Sequence, residues 1–185
     1  SRVLNNLGIL YMKTQNFEKA KDYFDMALKI QPDNYLIFSS LSQIAVKQKD
    51  YKTALEYINK ALSIYDEDFM LYYDLSNIYL EMNDFDKALE TLKKAIYYNP
   101  NDTYSLNKIG QIYFQKEEFQ EAIKAHLQVL ETHPNDPFAA YKVGTIYMHL
   151  KDYRHAEIYF KKVLEIDPDY IVAKLKLEEI KRTSV

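Results

Sequence analysis

Phe69 to Asp102 reads FMLYYDLSNIYLEMNDFDKALETLKKAIYYNPND, and its two halves decide the fold. In the first half Tyr72, Leu75, Ser76, Ile78 and Tyr79 recur at helical spacing and make one apolar stripe. The stripe stops near Met82 and Asn83. Asp84 then precedes Phe85, and a carboxylate there can accept from the free N–H groups that open a new helix. Ala88, Leu92, Ala95 and Ile96 form the stripe of that second helix, and Pro100 ends it. The stretch is a helix–turn–helix. One hairpin cannot bury both stripes, so it must stack on others.

The same pattern runs outward in both directions at a period of 34 residues, in rows that start at Ser1. One column reads Leu10, Ile44, Ile78, Ile112 and Ile146; a second reads Phe17, Tyr51, Phe85, Phe119 and Tyr153. A third is Ala20, Ala54, Ala88, Ala122 and Ala156, where two helices must approach closely. A fourth is Leu28, Leu62, Ile96, Leu130 and Leu164. Asn16, Asp50 and Asp152 stand in the Asp84 column as good helix caps, and Glu118 as a weaker one. Pro32, Pro134 and Pro168 end their rows as Pro100 does, while the second row has Asp66 there and must turn without proline. The rows are 1–34, 35–68, 69–102, 103–136 and 137–170. Residues 171–185 carry one more stripe, Ile171, Leu175, Leu177 and Ile180, beside a polar face of Lys174, Lys176, Glu178, Glu179, Lys181 and Arg182. That is what a terminal capping helix requires. The tail from Thr183 is expected to fray.

Composition agrees with a helical array. The 185 residues are 48% hydrophobic and 15% aromatic, with only 3 Gly and 5 Pro to break helices. No alternating run of β-branched residues suggests a sheet. The absence of Cys excludes disulfides, thiolate metal sites and cysteine nucleophiles, and leaves the redox compartment open. A net charge of −3 gives no basic footprint for nucleic acid. No apolar run approaches the roughly 18 residues of a membrane helix. No signal peptide is visible at Ser1 and no initiating Met is present, so the chain reads as a fragment of a longer, soluble protein. The cytoplasm is favoured over the periplasm.

The rows resemble the tetratricopeptide repeat family over residues 1–170. Row one carries the family pattern as Leu4, Leu7, Gly8, Tyr11, Ala20, Phe24, Ala27 and Pro32. The departures keep its size logic. The Gly column reads Gly8, Ser42, Ser76, Gly110 and Gly144; Ala45 replaces the Tyr, His126 the Phe, and Val129 and Val163 the second Ala. The resemblance implies an all-α fold, an α-solenoid of hairpins wound into a right-handed superhelix with a concave groove lined by the first helix of each row. It also implies that positions 2, 5, 9, 12 and 13 of each row face that groove. Position 2 reads Arg2, Leu36, Met70, Tyr104 and Phe138, position 5 reads Asn5, Ser39, Tyr73, Asn107 and Tyr141, and position 9 reads Ile9, Gln43, Asn77, Gln111 and Thr145. Position 12 is apolar throughout (Met12, Val46, Leu80, Phe114, Met148) and reads equally as groove wall or core. The candidate binding residues are therefore Asn5, Gln43, Tyr73, Asn77, Tyr104, Asn107, Gln111, Phe114, Phe138 and Tyr141. Amides there could meet the backbone of an extended peptide, and aromatics its apolar side chains.

Nothing in the sequence supports catalysis or a bound cofactor. His126 sits in a packing column, His133 in a turn, and His149 and His155 on different helices, without the spacing of helical metal ligands. Adjacent acids at Glu117–Glu118 and Glu178–Glu179 point apart on a helix and do not form a dyad. The glycines all fall in the packing column, so no phosphate loop exists. Within the resemblance, the carboxylate clamp of chaperone-binding members is also missing. Position 5 never holds Lys, and position 6 reads Asn6, Ser40, Asp74, Lys108 and Lys142. Row three carries three basic against six acidic residues and row four three against five, which favours ligands with basic residues at the middle of the groove. Three functions compete: a scaffold that binds a peptide or partner subunit, a substrate-tethering accessory part of an enzyme, and a self-association module pairing Tyr- and Phe-rich surfaces into a homo-oligomer.

Overall fold

The computed structural model describes residues 1–183. Among them every regular element is an α-helix: α1 (Arg2–Lys13), α2 (Phe17–Ile30), α3 (Tyr35–Lys47), α4 (Tyr51–Ile64), α5 (Phe69–Glu81), α6 (Phe85–Tyr98), α7 (Thr103–Gln115), α8 (Phe119–Thr132), α9 (Pro137–His149), α10 (Tyr153–Ile166) and α11 (Ile171–Thr183). The chain is an all-α repeat of helical hairpins. It divides into two units, Ser1–Pro100 and Asn101–Val185. In the first, α1 packs on α2, α3 on α4 and α5 on α6, while α2 meets α3 and α4 meets α5. In the second, α7 packs on α8, α8 on α9, α9 on α10 and α10 on α11.

Each odd-numbered helix up to α9 ends in the same way. Gln15, Lys49, Asn83, Glu117 and Lys151 adopt a left-handed backbone with φ between 57 and 60°. In the first turn the Gln15 N–H donates to the Met12 carbonyl and the Asn16 N–H to the Tyr11 carbonyl, at 3.0 and 2.9 Å. These are the two bonds of a Schellman motif, which satisfies carbonyls that a helix end leaves open. The pair recurs in the other four turns. The residue after the left-handed one then caps the next helix. Asn16, Asp50, Asp84 and Asp152 accept side-chain bonds from the N–H groups of Lys19, Thr53, Lys87 and His155, whereas Glu118 makes none. A Glu side chain is one methylene too long for the job that Asp does there. The turn without proline is closed by Asp68, whose carboxylate accepts from the Met70 N–H at 2.9 Å.

The Ala column is fully buried, at 0% exposure in all five rows. In the first unit two clusters alternate along the stack. Ala20, Phe24 and Ala27 of α2 pack with Ile37, Leu41 and Ile44 of α3, and Ala54, Ile58 and Ala61 of α4 pack with Ala45 of α3 and with Leu71, Leu75 and Ile78 of α5. In this unit α2 and α4 therefore bury their stripes against the first helix of the next hairpin as well as their own. That is why the hairpins must stack.

Three expectations need correction. Leu10 heads a column whose other members are buried, yet it is 56% exposed, because α1 has no earlier helix packed on it. In α11 the covered stripe is Ala173, Leu177 and Ile180, at i, i+4 and i+7, while Ile171 and Leu175 lie on another flank and are exposed. Thr183, expected to begin a frayed tail, is still helical, and its hydroxyl donates to the Glu179 carbonyl at 2.7 Å. Ser184 and Val185, the rest of that tail, lie outside the described residues.

Candidate functional site

Consecutive first helices lie side by side in the first unit, α1 beside α3 and α3 beside α5. In the second unit His149 of α9 reaches back to sit edge-on to Phe114 of α7, with ring centroids 4.8 Å apart. The candidate residues all lie on first helices of the hairpins. Asn5, Gln43, Tyr73 and Asn77 belong to α1, α3 and α5; Tyr104, Asn107, Gln111, Phe114, Phe138 and Tyr141 belong to α7 and α9.

Two shallow hollows open between neighbouring first helices. One, of about 390 Å³, is lined in the first unit by Met12, Lys13, Gln15, Phe17, Gln43 and Lys47. The other, of about 230 Å³, is lined in the second unit by Thr145, Met148, His149, Lys176 and Glu179. Both mix an apolar floor with amide, hydroxyl or charged walls.

Several candidates are engaged within the fold. Gln43 is exposed, but its Nε2 donates to Asp74 Oδ2 at 2.9 Å, across from α3 to α5. Asn107 Oδ1 lies 2.9 Å from Nδ1 of His126, a residue only 1% exposed. Asn5 holds the same column in row one, where Phe24 stands in place of that histidine, and its buried Oδ1 has no hydrogen-bond partner. Phe114 also packs on Phe119, at 5.6 Å between centroids, and Tyr141 packs on Phe160 and Tyr170 at 5.7 and 5.4 Å. These two aromatics cover seams between helices. Asn77, Gln111 and Tyr73 are half-buried, while Tyr104 is open to solvent. Phe138 is partly exposed, with the Lys142 ammonium 5.1 Å from its ring centre.

Asp74 was missed as a candidate. It is half-buried, and its Oδ2 accepts from both Ser39 Oγ at 2.8 Å and Gln43 Nε2 at 2.9 Å. Burial pushes its carboxyl above the ordinary range; the two hydrogen bonds pull the other way, and the nearby Asp68 charge adds to the rise. The clue in the sequence was an acid in a column that otherwise reads Asn, Ser, Lys and Lys. Among the described residues no group of three or more His, Asp or Glu side chains could hold a metal ion. No described helix is long and apolar enough to cross a membrane.

Four family models described as tetratricopeptide repeat match the chain, over residues 1–34, 45–112, 103–133 and 139–170. No curated protein is similar enough in sequence to count as a relative. Solved structures are close in shape. MamA is 22% identical, covers 90% of this chain and 91% of its own, and superposes with a TM-score of 0.76. YrrB, described as a TPR protein with an unusual peptide-binding site, is 25% identical, with coverage of 92% and 88% and a TM-score of 0.71. The pilF protein of Pseudomonas aeruginosa is 18% identical, with coverage of 98% and 83% and a TM-score of 0.83. At 22% and 18% identity, MamA and pilF bear on the fold alone.

Proposed function

Because the chain belongs to the tetratricopeptide repeat family, we propose that it is a protein-interaction scaffold that holds an extended segment of another protein on the face of its first helices. One observation carries this reading. Position 2 of rows two to five leaves a large apolar side chain in water every time: Leu36 at 50% exposure, Met70 at 42%, Tyr104 at 69% and Phe138 at 38%. A repeat sequence that needed these positions only for stacking would bury them or make them polar. Apolar exposure that recurs at the same position of each row, on α3 and α5 in the first unit and on α7 and α9 in the second, is the mark of surface that is covered by a partner. The peptide-binding site named for YrrB supports the same use of the fold.

On α5, Met70 and Asn77 stand two turns apart on this face, one apolar and one an amide that can meet a peptide backbone. Met70→Ser combined with Asn77→Ala should weaken binding of a partner recovered by affinity capture at least tenfold in a calorimetric titration. The thermal midpoint should hardly move, since neither side chain belongs to a buried cluster. Full binding by the double variant would sink the assignment of this face.

A further inference from the structure

Asp74 stands at the centre of a stripe on α5. Met70, Asp74, Asn77 and Glu81 follow one another at i, i+4, i+7 and i+11, so they share one side of the helix. The two ends of the stripe are exposed and the middle is half-buried. The helix carries no lysine, arginine or histidine anywhere along its length.

The hydrogen bonds to Asp74 come from one side only. Ser39 and Gln43, both on α3, donate to Oδ2, and together they fix the carboxylate in orientation. Among the described residues Oδ1 has no hydrogen-bond donor, and it is not among the fully buried unpaired atoms. Among the described residues no cation pairs with Asp74, and the charge that acts on it is that of Asp68, of the same sign. A half-buried carboxylate without a counter-charge works against folding. An asparagine or serine, the residue types that rows one and two hold in this column, could accept the same two hydrogen bonds without that cost.

We propose that Asp74 is a specificity-determining residue of the first-helix face, its carboxylate oriented by Ser39 and Gln43 to take the ammonium or guanidinium group of a lysine or arginine in the bound protein segment. This rests on the reading that the face binds such a segment. The cation would complete a charge-assisted pair at Oδ1 in a partly dehydrated place, where such a pair is stronger than on open surface. Met70 and Asn77 flank it within one turn on either side, so the basic side chain would arrive with an apolar neighbour and a backbone amide contact. The acidic excess of row three acts in the same direction at longer range.

The test uses the whole chain and an arrayed library of twelve-residue peptides of randomised sequence. Three proteins are compared: the unaltered chain, Asp74→Asn, and Glu81→Gln as a control that removes one negative charge from the same helix. The unaltered protein should retain peptides enriched in Lys or Arg at one position. Asp74→Asn should lose that enrichment, at least fivefold, with a thermal midpoint equal to or above that of the parent, and Glu81→Gln should keep it. Peptides retained without a basic preference overturn the proposal and leave the scaffold reading standing. Equal loss in both variants also overturns it, since a diffuse field would then account for the preference. Failure of the unaltered protein to retain any peptide overturns both readings. A midpoint of Asp74→Asn several degrees below the parent would show that the carboxylate serves the fold, and would overturn the assignment as well.

Discussion

His126 shows how one residue can make a packed core sensitive to pH. It occupies the column that holds Phe24 in row one and Phe160 in row five, and it is as buried as they are. Burial lowers its pKa from about 6.5 to about 4, with the Lys142 charge adding to the fall and Asp136 opposing it. The folded state therefore takes up a proton less readily than the unfolded chain. Between pH 6.5 and about 4 the unfolded state binds more protons, so stability is complete above 6.5 and is lost as pH falls through that window. The full loss is about 3 kcal/mol, of which about 2 kcal/mol is present at pH 5. His126→Phe removes the titration. It also leaves Asn107 Oδ1 in the position of the unpaired Asn5 Oδ1, a cost of about 1 kcal/mol offset by the larger apolar ring. Urea melts at pH 7.5 and pH 5 should find the two proteins similar at the higher pH and the variant clearly more stable at the lower. Parallel pH dependence in both would place the titrating group elsewhere. Asn5 and Asn107 share a column that the family resemblance assigns to a binding groove. A column gives the direction of a side chain. It does not say whether a histidine across the hairpin will claim the amide.

At the scale of the hairpin, the small-residue column and the column 16 positions later, across each hairpin, are matched. Gly8 faces Phe24, Gly110 faces His126 and Gly144 faces Phe160: a Cβ added at these glycines would lie 2.5, 2.5 and 2.8 Å from the opposing ring. Where the column holds Ser42 and Ser76, the partner positions are aliphatic, Ile58 and Leu92. A ring leaves no room for a Cβ, and an aliphatic side chain does. The match predicts a coupling. Gly8→Ser alone should cost about 1–3 kcal/mol by overpacking. Phe24→Ile alone should cost about 2 kcal/mol through the volume it vacates. The double variant recreates the Ser42–Ile58 arrangement and should lose at least ~1 kcal/mol less than the two changes summed, measured by denaturant melts of the four proteins. Strict additivity would show that the two columns are independent. Both columns were visible in the sequence because stacking imposes the same geometry on every row. The Schellman turns were not, because Gln15, Lys49, Glu117 and Lys151 are not the Gly or Asn that usually marks a left-handed residue. Two backbone hydrogen bonds and the cap that follows offset the strain there, and only Asn83 would have signalled it. Asp74 escaped notice for a related reason. Its partners lie 35 and 31 residues away, on the preceding hairpin, and contacts between rows leave no trace in any single column.

At the scale of the whole chain, a stacked array gains stability from each hairpin and from each interface between neighbours, so a terminal helix matters more than its length suggests. In the second unit α10 buries Ala156, Phe160 and Val163 completely, and α11 packs against it. The helix is amphipathic in an unusual way. Its covered stripe is Ala173, Leu177 and Ile180, while the larger apolar residues at its start, Ile171 and Leu175, stand 68% and 58% exposed. Stability and apolar content are thus separated on one helix, and the two faces can be tested against each other. Ile180→Asp places a carboxylate at a position only 4% exposed and removes an apolar side chain whose burial contributes roughly 2 kcal/mol. With the cost of hiding the charge, the total loss should exceed ~3 kcal/mol. Ile171→Asp and Leu175→Asp change the same chemistry on the exposed flank and should leave the thermal midpoint within a few degrees. Because interfaces between hairpins add along the stack, the Ile180 variant should lower the midpoint of the second unit while keeping most of its helical circular dichroism at low temperature. A midpoint lowered equally by all three substitutions would mean that the exposed flank of α11 is also covered, and would point to a further helix or a second copy of the chain packed on it in solution.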